Sequence, residues 1–115
     1  MTDSTTGTVK PVSHYVSTAA IDALVEQAGA HLESVSPTQK CLMSAVLADH
    51  LASGNEYYSI TDSLHYADPH HVLEGELGNA LVRIATEDSS AVLAGLLQAL
   101  AALIADDIAT GAYDA

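Results

Sequence analysis

The sequence predicts an all-α, four-helix domain on three grounds. Apolar residues recur at helical spacing over four long segments, no strand-like alternation is sustained anywhere, and most of the segments are joined by very short turns. Short turns favour antiparallel neighbours, as in a helical bundle. At 115 residues the chain is large enough for one hydrophobic core without disulfide or metal staples. Phe and Trp are absent, so that core is built from Leu, Val, Ile and Ala.

Residues 1–13, MTDSTTGTVKPVS, are rich in Thr and Ser with little to bury, which predicts a flexible tail ahead of a single helical domain over 14–115. The first helix is expected at about 18–35. There Ile21, Leu24, Val25, Ala28, Leu32 and Val35 fall on one side, and Asp22, Glu26 and Glu33 on the other. The second is expected at 37–53. Ser36, Pro37 and Gln39 have the form of a capping box, and Gly54 is suited to a left-handed stop.

Residues 54–67, GNEYYSITDSLHYA, show no sustained period, although Thr61 could cap a single turn. This is the longest connection and so a natural place for function, with Glu56, Tyr57, Tyr58, Asp62 and Tyr66 as a partner-binding loop. Asp68 followed by Pro69 reads as the start of a third helix over about 69–86, with Leu73, Leu77, Ala80, Leu81 and Ile84 behind it. Gly75, Gly78 and Asn79 weaken that helix, by up to about 1 kcal/mol each, and imply a packing reason for their presence.

The fourth helix is expected at about 89–110, capped by Asp88 or Ser89 and stopped by Gly111. It is apolar all round. Leu93, Leu96, Leu97, Leu100, Leu103 and Ile104 form a broad large-residue face. Opposite lies a small-residue face of Ala91, Gly95, Ala102, Ala105 and Ala109, interrupted by Gln98. A helix with no polar face must be enclosed by its own domain or by another subunit. These six small-face positions are therefore the expected interface of a homodimer. The apolar run from Ala91 to Ala105 falls about five residues short of the roughly 20 that cross a bilayer, so no membrane span is expected.

Three Lys and Arg stand against 15 Asp and Glu, a net charge of −12. Such a chain repels phosphate, which argues against direct nucleic-acid binding and against docking to anionic lipid. It suits a basic protein partner, and it also suits a solubility surface in a high-salt cytoplasm. The lone Cys41, and the lack of a basic, apolar leader near the start, point to a reducing, cytoplasmic setting.

The stretch HYADPHHVLEGEL, His65 to Leu77, concentrates three histidines and three carboxylates. Asp68 reads first as a cap, and Glu74 and Glu76 as charges that suit a helix start. On a helical wheel His50 faces inward, His31 and His70 flank apolar faces, and His71 points toward Glu74 and solvent. His31, His50 and His70 are thus candidate ligands for zinc or iron. The competing reading makes His50 a core histidine bonded to a carbonyl or tyrosine. The Glu set of a ferritin-like site is missing, as are a zincin motif, a glycine-rich phosphate loop and a G-x-S-x-G elbow.

The leading expectation is a non-enzymatic, acidic helical module that oligomerises, binds another protein, and serves in assembly or regulation without a cofactor. One alternative is a small inhibitor that mimics a polyanion in the basic groove of a nucleic-acid-binding protein. The other is a histidine-based metal-binding bundle.

Overall fold

The computed structural model describes residues 9–111. Over that span the chain is all-α, but it forms six helices, not four. They are α1 (Val12–Tyr15), α2 (Ala19–Ala28), α3 (Pro37–Ser53), α4 (Ile60–Ala67), α5 (Glu76–Glu87) and α6 (Ser90–Ala109). The long helices α3 and α6 form the central pair, with α4 laid on α3, α1 on α6, and α2 on α5. Ile21, Leu24, Met43, Leu47, Leu81, Ile84, Leu96 and Leu100 meet in one apolar cluster, each 0% exposed.

Within the described part of the expected tail, the chain is already packed. Val12 is completely buried in the cluster, and its N–H donates to Ala30 O at 2.9 Å. Residues 1–8 lie outside the described residues. The apolar side chain of Val12 supplies burial that a polar count over residues 1–13 overlooks.

The first long helix ends at Ala28, seven residues before the expected Val35. Gly29 takes a positive φ of 105°, and the Ser34 N–H and hydroxyl both donate to Ala28 O, at 3.0 and 3.1 Å. That closes the helix end. Leu32 and Val35 are still buried, but from a turn in which Leu32 itself is left-handed at φ 53°. The apolar period therefore reported burial correctly and conformation wrongly.

The predicted bounds of α3 hold. Gln39 N–H donates to Ser36 Oγ at 3.1 Å, and Ser36 N–H donates to Gln39 Oε1 at 3.0 Å, which completes the capping box with Pro37 in the first turn. At the other end Gly54 is extended, with φ −65°, not left-handed. Glycine is needed there for space, since a Cβ would lie 2.5 Å from His50 O.

Helix α4 was not expected. Its capping box is Ser59 with Asp62: Ser59 N–H donates to Asp62 Oδ2 at 2.8 Å, and Asp62 N–H donates to Ser59 Oγ at 3.4 Å. Thr61 is not the cap. The third expected helix, at about 69–86, begins only at Glu76, because residues 68–75 form a tight turn. Asp68 caps a turn here, not a helix N-terminus. Its buried carboxylate accepts the N–H groups of Val72 at 2.9 Å and Leu73 at 2.8 Å. Gly75 enters α5 at φ 95°, and a Cβ on Gly78 would sit 2.9 Å from Leu73 O. Both glycines thus have a geometric reason.

Helix α6 runs one residue inside each expected bound, with Ser89 accepting from Val92 N–H at 3.4 Å and Gly111 left-handed at φ 82°. Its 20 residues are long and apolar enough to cross a bilayer by length and composition, which replaces the shorter span counted from its apolar run. One contact welds it to α3. Lys40, 5% exposed, donates from Nζ to Asp107 Oδ2 at 2.8 Å. The pair joins the start of α3 to the end of α6, so the two helices run antiparallel.

Candidate functional site

The two faces of α6 are used unequally. Leu93, Leu96, Ala99, Leu100 and Leu103 are buried against the rest of the fold, yet only 28% of the most apolar stretch is buried. A helix of this composition enclosed by its own domain would be buried for most of its length. Of the six expected interface residues, Ala91, Gln98, Ala105 and Ala109 are exposed. Gly95 and Ala102 are half-buried instead. A Cβ on Gly95 would meet Val16 Cβ at 3.1 Å, so the segment after α1 already occupies that side. The exposed arc is rotated toward Ala94, Gln98, Ala101, Ala105 and Ile108, the last 59% exposed. Spacing alone missed Ala94 and Ala101, because it carried no information on where the short α1 would sit.

The connection between α3 and α4 is a tight turn closed by a bridge between Asn55 and Tyr58. Among the residues expected to bind a partner, Glu56 is exposed, while Tyr57 and Tyr66 stand 86% and 74% exposed. Tyr58 and Asp62 have internal work. The Tyr58 hydroxyl donates to Asp49 Oδ2 at 2.7 Å, and Asp62 is committed to the Ser59 capping box. The bond to Asp49, then partial burial, holds the Tyr58 phenol above its ordinary range.

That bond also corrects the expectation for His50. The Tyr58 hydroxyl donates to Asp49, and His50 Nδ1 is buried without a hydrogen bond, as is Ser63 Oγ on α4. His31 lies in the turn after α2, where its Nδ1 is 3.6 Å from Glu33 Oε2. Backbone N–H groups of Glu33 and His31 hold the Glu33 carboxyl below its ordinary range. His50 sits thirteen residues into α3, roughly 20 Å along its axis from Pro37. His70 is exposed in the 68–75 turn. Thus His31, His50 and His70 are not brought together, and among the described residues no group of three or more His, Cys, Asp or Glu is already arranged around a metal position. Cys41 is exposed on α3.

The structure instead pairs two histidines that the wheel left apart. His65, on the exposed face of α4, and His71, in the turn, stand edge to face with ring centroids 6.3 Å apart and planes at 85°. His71 reaches this position through a left-handed backbone, φ 58°. Both line a pocket of about 330 Å³ between α4 and α5, together with Thr61, Asp68, Glu74 and Asn79. The i, i+3 spacing of Asp62 with His65 and of Asp68 with His71 was visible in the sequence. The fold that makes the histidines face one another was not.

Of the three cations, Lys40 is buried against Asp107, while Arg83 stays on the surface, bridged to Glu87 at 3.0 Å. The chain matches no protein-family model, no curated protein and no solved structure.

Proposed function

We propose that this protein is a non-enzymatic helical module that associates with a second copy of itself and serves as a protein-interaction or assembly subunit. The observation that carries this reading is the exposed apolar arc of α6. An arc of Ala94, Gln98, Ala101, Ala105 and Ile108 has little reason to remain in water, and small side chains let a second helix approach closely. A two-fold pair is the simplest closed arrangement that covers it, with Gln98 near the seam.

Sedimentation over a range of concentrations tests it. The wild-type chain is expected to dimerise, and Ala101→Glu is expected to leave a folded monomer, since Ala101 is exposed in one chain and buried only in a seam. Gly95→Ala is the poorer probe because it presses on Val16 of the same chain. A wild-type chain that stays monomeric at high micromolar concentration, or that floats with neutral phosphatidylcholine vesicles through α6, would overturn the reading.

A second reading is favoured by the net charge of −12 and the burial of Lys40 against Asp107. It makes the acidic exterior a mimic of a polyanion for a basic, nucleic-acid-binding partner. Complex formation would then weaken steeply as salt is raised from about 0.05 to 0.2 M, in the manner of phosphate contacts. Association through α6 would be insensitive to the same change.

A further inference from the structure

We propose that His65 and His71 form a two-imidazole site for a divalent transition-metal ion in the pocket between α4 and α5. This inference does not depend on dimerisation through α6.

The ligand atoms are of the right kind, and the two rings that carry them are neighbours. Imidazole nitrogen selects zinc, nickel, copper or cobalt over magnesium and calcium, which prefer oxygen. Two imidazoles on one tetrahedral ion, each with nitrogen about 2.0–2.1 Å from it, have ring centroids roughly 5 Å apart. The observed centroids are 6.3 Å apart with the rings perpendicular, so closure requires both imidazoles to turn as well as to approach by about 1 Å. Both side chains are exposed and can turn that far by side-chain rotation, without movement of the helices.

The scaffold holds one ligand firmly. Asp68 accepts from Val72 and Leu73, and Asp68 O accepts the His71 N–H at 3.1 Å, so the turn is fixed on both sides of the left-handed His71. A non-glycine residue at positive φ is uncommon, and it persists where its surroundings over-determine it. Here the conformation turns His71 toward α4. Glu74 lines the same pocket but is not grouped with the two imidazoles as a third ligand, so water completes the shell. Asp68 is not a ligand, because its carboxylate is buried and committed to backbone N–H groups.

Calorimetric titration of the full chain with zinc, after chelator treatment and in a buffer that does not bind metal, tests the site. One zinc per chain is expected, with micromolar affinity. His65→Gln and His71→Asn should each weaken binding by about tenfold or more, while His31→Gln and His70→Gln should leave it unchanged. Asn is chosen at position 71 because it tolerates the left-handed backbone, and an unchanged thermal melt would show that the variant folds. Failure of millimolar zinc to bind would overturn the site. So would wild-type affinity in either His65→Gln or His71→Asn, since the metal would then be held by scattered surface carboxylates.

Discussion

The α3–α6 pair and the α4–α5 corner are built on opposite principles. The pair is two long helices that bury Met43, Val46, Leu47, Leu96, Leu100 and Leu103, with a single shielded ion pair at one end. Its stability is spread over many side chains, each of which contributes roughly 1.5–3 kcal/mol when fully buried. The corner has a short helix, an eight-residue turn and two left-handed residues, His71 and Gly75, and its course depends on the two oxygens of Asp68. The lesson is that this chain concentrates conformational risk where it also presents polar side chains. The long helices supply the rigidity against which that risk is tolerated.

The largest effect should come from the shielded ion pair inside the robust region. Lys40→Ala removes the partner of a shielded carboxylate, and denaturant unfolding is expected to show a loss of about 3 kcal/mol. Replacing both partners, Lys40→Met with Asp107→Leu, should recover most of that loss. If the double variant were as unstable as the single one, the ion pair would be more than a local filling of the core, and the contrast between the two regions would weaken.

The next effect sharpens the comparison from the other side. Asp68→Ala deletes two hydrogen bonds to a charged acceptor and should cost roughly 2–3 kcal/mol. Its signature is local. Amide exchange at Val72, Leu73 and the start of α5 should accelerate, while the middles of α3 and α6 keep their protection. Equal acceleration in all of these helices would mean that the corner and the pair unfold as one unit.

The smallest effect is a pH dependence. The Tyr58 phenol is held above its ordinary value of 10.0 by the hydrogen bond to Asp49. A raised folded value means that the bond's contribution is complete below about pH 10 and is lost as the pH rises through the folded value. Tyr58→Phe should therefore flatten the alkaline limb of the stability profile and leave the acid limb, which involves Glu33, unchanged. An alkaline limb of the same slope in Tyr58→Phe would assign it to another group.

The same division explains what could be read in the sequence. Helices α3 and α6 were legible to within a residue because each carries a complete local signal: a serine cap, a long apolar period and a following glycine. Helix α4 had its signal too, the Ser59 to Asp62 box, but only eight residues follow the cap, and the period was too short to register. The 68–75 turn was hidden by a true coincidence. An Asp-Pro start, an apolar period and Glu in the first turn describe a helix N-terminus, and the same Asp68 carboxylate can cap two N–H groups of a turn instead. Leu32 shows the reverse case, a residue placed correctly in the core and wrongly in a helix. Among candidate site residues, exposure of Tyr57 and Tyr66 followed from their loop-like, unpatterned surroundings. The facing of His65 and His71 depends on a backbone reversal that no linear spacing encodes.

The placement of the three cations has one more consequence, for proteolysis. An enzyme that cuts after lysine or arginine meets Lys40 sealed inside α3 against Asp107, and Arg83 in the middle of α5, bridged to Glu87. Lys10 is exposed but is followed by Pro11, a bond that trypsin cleaves poorly. The folded chain offers such an enzyme almost no entry. Digestion by trypsin therefore reports the opening of α3 or α5, and the rate of cutting at Lys40 becomes a direct clock for separation of the α3–α6 pair.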